Sequence, residues 1–252
     1  MSIKVLVLAG QREGVDSLAR GENVAHKALI QVSGQSMLAH VVAALRESVA
    51  GEILVAGDDP RVVQEVERLG LRAMAPRSSP SATVLDALQS IGAPLIVTTC
   101  DHVLLQAEWI NHLVAQTNSN VDVAVMLAKR EQIEREIPES RRTYFHFADG
   151  DWSGCNLFLL QGERAQFVAE LWQRVEKDRK QPWRIAARIG PGTLLSLLLR
   201  RLSAAQAVAR VGAKVGARAI CVPAPSGLAA VDVDKPEDLR QVRAYLARHS
   251  LR

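Results

Sequence analysis

The sequence predicts one α/β domain over residues 1–252, with helices on both faces of a mostly parallel, mixed sheet and a basic helical insertion at about residues 163–212. Short β-branched runs alternate with amphipathic helical patterns, as in sheets whose strands are joined by helices. These runs are apolar at nearly every position, as expected of strands buried on both faces in a three-layer α/β/α arrangement. Length alone leaves one or two domains open, but no repeat or low-complexity segment divides the chain.

In the first half of the chain, three apolar runs predict strands, and the segments between them show apolar residues at helical spacing. The predicted elements are, in order, strand Ile3–Leu8, helix Met37–Val49, strand Glu52–Ala56, helix Arg61–Leu69, helix Thr83–Gln89 and strand Leu95–Thr99.

The alternation of apolar strands and amphipathic helices changes after Asp122. The segment Arg142–Phe147 alternates in character and predicts an edge strand, which a turn at Asp149-Gly150 would pair with the next strand as a hairpin. Proline and glycine interrupt the helical pattern that follows, at Pro182 and at Gly190-Pro191-Gly192. The remaining predicted elements are strand Val123–Leu127, strand Ser153–Leu160, helical segment Glu163–Val211, strand Arg218–Val222 and helix Pro236–Arg248.

Composition excludes several classes of function. Aromatic residues make up 4% of the chain, too few for a stacking platform, so no nucleic-acid partner is expected. Three widely spaced cysteines form neither a metal motif nor a disulfide framework, which favours a reducing, cytoplasmic location. The N-terminus lacks the pattern of a signal peptide. The longest uncharged runs fall short of the ~20 apolar residues of a transmembrane helix.

The positive charge is concentrated in the second half of the chain. Residues 163–212 carry ten Lys or Arg and four Asp or Glu, against a net charge of +4 for the whole chain. A solvated helical face is favoured over a surface for phosphates or anionic lipid. Within this stretch, Ile185–Leu202 is apolar with flanking arginines. It could pack on the core, which is favoured, or form the surface of a homodimer, or touch a membrane.

The loop after the first strand is the first candidate site, because ligands of open α/β sheets bind outside the carboxyl ends of the strands. Residues 9–27 are polar and small, and the loop amides could hold phosphate oxygens while lysine and arginine supply positive charge. An ordinary surface loop is about as well supported by these residues alone. The loop carries Gly10, Arg12, Gly14, Arg20 and Lys27.

Acidic residues mark two further strand ends. Asp101 follows Leu95–Thr99 and is either a helix N-cap or an oxygen ligand for Mg²⁺. The neighbouring His102 is expected to face solvent. Near the C-terminus, Asp232 and Asp234 precede Pro236, which together with the acids after it marks a helix start. Asp234 could be the cap of this helix, and alternation along an extended segment points Asp232 and Asp234 to the same side.

Two motifs, taken together, resemble the nucleotidyltransferases of the MobA-like family, whose domain is related to the GT-A fold, a Rossmann-like arrangement. The first strand ends in Leu8-Ala9-Gly10, where the family has Leu-Ala-Gly or Ala-Ala-Gly. The family's Lys-x-Leu-x-x-Val-x-Gly-x-Pro-Met-Leu segment is matched except at the proline, which is Ser36 here. The matching residues are Lys27, Leu29, Val32, Gly34, Met37 and Leu38. In the loop the family's arginine is missing from its usual place, so that Arg12 or Arg20 would have to reach the phosphates.

The resemblance implies a site built from three sets of residues. It implies Mg²⁺ ligands at Asp101 and at Asp232 or Asp234, since the family's domain ends with a sequence similar to Asp232–Leu239. Asp232 is slightly favoured as the ligand and Asp234 as the helix cap. It implies catalytic roles for Lys27 and Asp101. The nucleotide-binding residues would be Leu8, Ala9, Gly10, Arg12, Gly14, Lys27 and Ser81.

The acceptor of the reaction has weaker candidates. The resemblance places Gly154 and Asn156 beside it, although a satisfied buried amide is an even alternative for Asn156. The residues themselves add a basic cluster that could bind an acceptor phosphate, although a solvated helix end is favoured for each member. The cluster members are Lys177, Arg179 and Arg184, with Trp183 as an apolar wall.

The function implied is therefore transfer of a nucleoside monophosphate from a triphosphate to a phosphorylated small molecule, with release of pyrophosphate. Cytidine is somewhat favoured by overall resemblance, although no residue proves it. A glycosyltransferase of the related fold and a non-catalytic nucleotide-binding protein are the alternatives. Lys27 and the first loop favour the triphosphate, because its charge requires a cationic cradle.

Overall fold

The protein is described by a computed structural model over residues 3–10, 16–178 and 190–249. Its central sheet has eight strands, which are β1 Ile3–Leu8, β4 Ala50–Ala56, β5 Arg72–Met74, β6 Leu95–Thr99, β7 Val123–Lys129, β8 Phe145–Phe147, β9 Gly150–Leu160 and β10 Ala219–Pro223. Their order across the sheet is β10-β7-β9-β6-β1-β4-β5, with β8 paired to β9. A separate small hairpin joins β2 Gln31–Val32 to β3 Gln35–Ser36.

Helices connect the strands. They are α1 Ser17–Gly21, α2 Met37–Arg46, α3 Pro60–Arg68, α4 Pro80–Ile91, α5 Ala107–Ala115, α6 Arg130–Glu136, α7 Ala165–Lys177, α8 Pro191–Leu198, α9 Ala204–Ala213 and α10 Pro236–His249, with 3-10 helices at Lys27–Leu29 and Gly227–Ala230. Along the path from β10 to β5, β9 runs antiparallel to its neighbours β6 and β7, and the other pairings are parallel. The predicted α/β class with a mostly parallel, mixed sheet is confirmed.

Alternate side chains of the strands divide the core between the two faces of the sheet. Val5 and Val7 of β1 contribute to the larger cluster, together with apolar residues of α2, α5 and α10. Leu6 between them faces the smaller cluster, which includes residues of α4, α7 and α9. Because a residue on a strand points away from its neighbours, continuously apolar strands produce these two apolar layers.

The basic segment after β9 contributes to the second layer. Helix α7 packs against α4, and α9 covers the sheet near β10. Helix α8 differs, because Leu195, Leu198 and Leu199 are 57%, 73% and 51% exposed. The favoured core packing of Ile185–Leu202 is therefore wrong for these leucines. Leu202 is the one leucine of this stretch that is fully buried, and residues 185–189 lie outside the part of the chain that the structure describes.

Several element boundaries differ from those predicted. The predicted edge strand Arg142–Phe147 is reduced to Phe145–Phe147, because the side chain of Arg142 turns inward to acidic partners. Helix α2 ends at Arg46, and β4 begins as early as Ala50. Among the helices in the described part of the chain, none is both long and apolar enough to cross a membrane.

Candidate active site

The first loop leaves the sheet between two parallel strands. The N–H of Ala9 donates to the carbonyl of Ala56 at 2.8 Å, and the N–H of Cys100 donates to that of Leu8 at 3.0 Å. Gly10 is exposed, and a Cβ on it would lie 3.3 Å from Pro76. These bonds fix the start of the loop at the carboxyl edge of the sheet.

The predicted phosphate-contacting residues of the loop are only partly placed. Arg12 and Gly14 lie outside the residues that the structure describes. Arg20 is exposed in the last turn of α1, a helix that Asp16 caps by accepting from the N–H groups of Leu18 and Ala19. The question of whether Arg12 or Arg20 contacts a triphosphate therefore stays a prediction.

Lys27 joins Asp101, which follows β6, to Asp234, which lies between the 3-10 helix Gly227–Ala230 and α10 and so does not end a strand as predicted. It begins a short 3-10 helix that His26 caps, with the His26 Nδ1 accepting from the Ala28 N–H at 3.0 Å. Its Nζ donates to the Asp101 carboxylate, and it contacts Asp234 Oδ1 at 3.1 Å. Residues separated by 74 and 207 positions from Lys27 thus meet at one ammonium group.

Asp101 is held as a buried anion. The next helix begins at Ala107 with Gln106 as its N-cap, so that the helix-cap alternative for Asp101 is wrong. The Thr99 hydroxyl donates to its carboxylate. The Asp101 carbonyl accepts from the N–H of Val233 at 3.0 Å. This last bond places the Asp232–Asp234 segment beside the Asp101 turn.

The pair of Lys27 and Asp101 keeps both groups charged. Burial by itself lowers the pKa of Lys27, but Asp101, together with Cys100 and Asp234, outweighs it and raises that pKa well above the ordinary value. Burial likewise raises the pKa of Asp101, while Lys27 and Thr99 bring it below the ordinary 3.8. Lys27 and Asp101 therefore form a partly buried ion pair at neutral pH.

Asp232 and Asp234 have different partners. Asp234 is half exposed at its side chain and contacts Lys27. Asp232 accepts from the Arg142 guanidinium at one carboxylate oxygen and from Asn156 Nδ2 at the other, the latter at 2.8 Å. The structure therefore brings Asp234, and not the slightly favoured Asp232, to the Lys27 ammonium.

Arg142 is the residue at this site that sequence reasoning missed. Its side chain is 8% exposed and lies against Asp232 and Asp238. Burial lowers its pKa, an effect opposed by Asp238, Asp234 and Asp101, and an arginine remains charged at neutral pH. The only available signal was a pair of arginines, Arg141 and Arg142, which does not show which one turns inward.

The acceptor candidates on β9 lie close to this acidic group. Between the pairs Val125–Phe158 and Leu127–Gly154 the register of β7 and β9 shifts, and Asn156 takes a φ of +47°. Asparagine tolerates this left-handed conformation better than most residues. Gly154 has open space where a side chain would stand. The bulge thus directs the Asn156 amide to Asp232.

Ser81 lies on α4 and is fully buried. Its hydroxyl donates to Glu176 on α7, while Ser79 caps α4 by accepting from the Ala82 N–H. Lys177 is exposed at the end of α7, and Arg179 and Arg184 lie outside the described residues. The structure does not bring Ser81 or Lys177 into contact with the Lys27 group.

His102 is not solvent-facing as expected, because it is 1% exposed. It follows the Asp101 turn, and its ring stacks on Trp109 with centroids 6.0 Å apart. Burial lowers its pKa to about 4 against a partly compensating effect of Asp101. His102 is therefore neutral at physiological pH.

The acidic group fits a magnesium ion bound together with a substrate. In the part of the chain that the structure describes, no cluster of three or more His, Cys, Asp or Glu is arranged to hold a metal. Mg²⁺, however, is usually bound by one or two carboxylates together with substrate phosphates and water. Asp101 and Asp234 converge on a single cationic group, the Lys27 ammonium, so the donor set suits this mode of binding.

The fold and the sequence both have known relatives. A hypothetical transferase from Thermus thermophilus has a TM-score of 0.80 at 28% identity, over 95% of this chain and 100% of that one. The model of the MobA-like NTP transferase domain matches residues 5–224. The chain belongs to this family.

Two further proteins have a more limited similarity to this chain. A CMP:2-keto-3-deoxy-manno-octonic acid synthetase, solved with CTP, has a TM-score of 0.60 at 18% identity over 98% of this chain and 100% of that one. A 3-deoxy-manno-octulosonate cytidylyltransferase from Rhodopirellula baltica is 47% identical over 51 residues, which cover 20% of this MobA-like chain and 20% of the relative. The first shows a likeness of fold, and the second a local likeness of sequence.

Proposed function

We propose that this MobA-like chain is a magnesium-dependent nucleotidyltransferase that transfers a nucleoside monophosphate from a triphosphate to a phosphorylated small molecule. The observation that carries the proposal is the contact of Lys27 with both Asp101 and Asp234 beside the first loop. CMP is favoured as the transferred group, because two of the relatives are named for CMP or cytidylyl products.

The charges of the site support binding of a divalent cation. Four carboxylates, those of Asp101, Asp232, Asp234 and Asp238, lie with two cations, Lys27 and Arg142. The group therefore has two negative charges in excess. A Mg²⁺ ion held by Asp101 and Asp234 would balance them and supply positive charge against the phosphates of the nucleotide.

Lys27 provides the protein's own charge for the reaction. Its raised pKa keeps the ammonium protonated, so that it can contact phosphate oxygens as negative charge grows on the leaving pyrophosphate. The acceptor oxygen forms a bond with the α-phosphorus while the bond from that phosphorus to the bridging oxygen breaks, and the electron pair leaves with pyrophosphate. An ionised phosphate is already a nucleophile, so positioning and charge carry the reaction.

A sugar acid is a second candidate acceptor. The relative from Rhodopirellula baltica is named for an octulosonate, whose reacting group would be a hydroxyl. Such an acceptor has to lose a proton during transfer, unlike an ionised phosphate. A parallel assay of phosphorylated sugars and polyols against 2-keto sugar acids, at a series of pH values, separates the two classes.

The experiment that tests the function measures pyrophosphate release. The purified protein is given each of the four ribonucleoside triphosphates with Mg²⁺ and both acceptor panels. We expect release with CTP in the presence of one acceptor class, and no release with chelator. Binding of triphosphate without release on any acceptor would instead support the non-catalytic alternative, and turnover of a nucleotide-sugar would support the glycosyltransferase.

Asp101→Asn tests the assignment within that assay. The change keeps the volume of the side chain but removes the charge that faces Lys27, and we expect kcat to fall by about 10²-fold or more. Asp86→Asn is the matched control, since Asp86 forms a surface ion pair with Arg77 at 2.7 Å. Activity retained by Asp101→Asn at the level of Asp86→Asn would refute the role of Asp101.

A further inference from the structure

The guanidinium of Arg142 is largely occupied by hydrogen bonds within the protein. It lies in the loop between α6 and β8, and its Nε donates to Ser140 Oγ at 3.0 Å. Its terminal nitrogens donate to the Asp232 carboxylate, to the Asp232 carbonyl at 2.7 Å and to Asp238 Oδ1 at 3.4 Å. With its guanidinium so occupied and its side chain 8% exposed, Arg142 has little surface left for a ligand.

These contacts fix both ends of the segment that carries Asp234. At one end, Asp232 is bound by Arg142 and Asn156. At the other end, Asp238 accepts from Arg142 with one oxygen, and with the other from the N–H groups of Asp234 at 3.2 Å and Lys235 at 3.1 Å. Asp234 therefore lies between two anchors that share one guanidinium.

Resting on the proposed function, we propose that Arg142 is a positioning residue that holds the Asp232–Asp238 segment so that Asp234 faces Asp101, with Asp232 as its anchor and not a ligand of the divalent cation. Both carboxylate oxygens of Asp232 accept hydrogen bonds. One oxygen each of Asp101 and Asp234 contacts the Lys27 ammonium, and the second Asp101 oxygen accepts from the Thr99 hydroxyl. Arg142 thus divides the four carboxylates into two pairs. Asp232 and Asp238 anchor the chain segment, and Asp101 and Asp234 are left to bind the divalent cation.

The geometry of arginine suits this task better than that of lysine. A guanidinium presents five donors in a rigid plane, while an ammonium is a single point charge on a flexible stem. A lysine would present its three donors from one nitrogen atom, whereas Arg142 reaches Ser140, Asp232 and Asp238 from three separate nitrogens. Arg142→Lys is therefore expected to preserve the charge and lose part of the positioning.

The test measures Mn²⁺ binding to the nucleotide-free protein by electron paramagnetic resonance, a readout separate from activity. We expect Arg142→Met to weaken Mn²⁺ binding by about 10-fold or more, as is typical when an outer partner of a metal ligand is removed. Arg142→Lys should fall between this variant and the wild type. The matched control is Arg72→Met. Arg72 is exposed, forms an ion pair with Glu52 and lies on the edge strand β5.

The anchoring role of Asp232 is tested by a double-mutant cycle. Asp232→Asn and Arg142→Met act on one interaction, so we expect the double variant to bind Mn²⁺ no more weakly than Arg142→Met alone. Asp234→Asn, in contrast, should lose binding at any Mn²⁺ concentration used. Fully additive losses for Asp232→Asn and Arg142→Met would overturn the proposal, since Asp232 would then act as a ligand itself.

Steady-state kinetics add a second readout that a purely structural role would not move. We expect Arg142→Met to raise the Mg²⁺ concentration for half-maximal rate, while kcat at saturating Mg²⁺ is largely recovered. A raised acceptor KM with unchanged metal dependence would overturn the proposal in favour of substrate binding. If Arg142→Met does not fold, Arg142→Lys and Asp232→Asn carry the same comparison.

The outcomes also separate this proposal from the proposed function. If the wild type binds Mn²⁺ but releases no pyrophosphate from any triphosphate, the proposed reaction fails and the Mn²⁺ series still tests Arg142. If the wild type is active and Arg142→Met binds Mn²⁺ as the wild type does, the positioning role alone fails. A wild type that binds Mn²⁺ neither alone nor together with a triphosphate overturns the positioning role as well.

Discussion

The Lys27 ammonium contacts two carboxylates from distant parts of the chain, Asp101 after β6 and Asp234 before α10. Buried charges are costly unless they are paired, and this pairing keeps Asp101 ionised inside the protein. The same arrangement places a positive charge between the two carboxylates proposed as Mg²⁺ ligands. Lys27 is therefore expected both to stabilise the acids in the absence of ligand and to compete with a metal ion for them.

Replacement of Lys27 tests this competition. In Lys27→Met, Asp101 and Asp234 repel each other without a cation, so we expect lower thermal stability in chelator and a larger stabilisation by Mn²⁺ than in the wild type. Activity should nevertheless fall, because the charge facing the phosphates is lost. The measurement is a thermal shift with and without Mn²⁺.

Lys235→Met is the control for that experiment. Lys235 is exposed and adjacent to Asp234, so its removal changes the local charge without breaking the Lys27 contacts. We expect its response to Mn²⁺ to match that of the wild type. A Lys27→Met variant with the same response as Lys235→Met would contradict the competition.

At the level of elements, helices α4 and α7 are joined by a polar contact beneath their apolar packing. The Ser81 hydroxyl donates to Glu176, and the Ser81 N–H lies 3.4 Å from the same carboxylate. The N-terminus of a helix favours a negative charge, so Glu176 also suits the start of α4. Ser81 as a nucleotide ligand stays a prediction, since its side chain is covered in this arrangement.

Ser81→Ala separates these roles. Loss of a hydrogen bond to a charged group should lower the free energy of unfolding by about 1–2 kcal/mol, measured by urea denaturation, with little change in the triphosphate KM. Ser90→Ala on the same helix is the control, because Ser90 only donates to the carbonyls of its own turn. A large KM increase with unchanged stability would contradict the structural role and favour a nucleotide contact.

Across the whole molecule, buried histidines link stability to pH. Burial lowers the pKa of His102 from 6.5 to about 4 and also lowers that of His26. The unfolded chain therefore binds more protons between these values, and stability falls as the pH drops through that window. The contribution is fully present above pH 6.5.

The expected change is measurable by chemical denaturation in chelator at a series of pH values. His102 alone accounts for a loss of up to about 3 kcal/mol between pH 6.5 and 4. We expect His102→Asn to flatten the curve in this range. Equal slopes for wild type and His102→Asn would contradict the assignment.

The features that could be predicted from the sequence are those that depend on neighbouring residues in the chain. Strands Ile3–Leu8 and Leu95–Thr99 were predicted with the bounds observed, because their continuous apolar character reflects burial on both faces. Lys27, Asp101 and Asp234 were among the candidates, since each lies at a strand end or in a motif. The burial of His102 was missed, because a single residue in a turn has no periodicity that would reveal its surroundings.

The sequence by itself determined the α/β class, the parallel strands and the region of the candidate site, through short-range apolar patterns and motifs. Tertiary structure alone decided the partners of the charged residues. Arg142 meets Asp232 across 90 positions, and the β9 bulge brings Asn156 to the same carboxylate. These choices depend on which side chains the folded sheet brings within hydrogen-bonding distance and shields from water, and no local pattern encodes that distance.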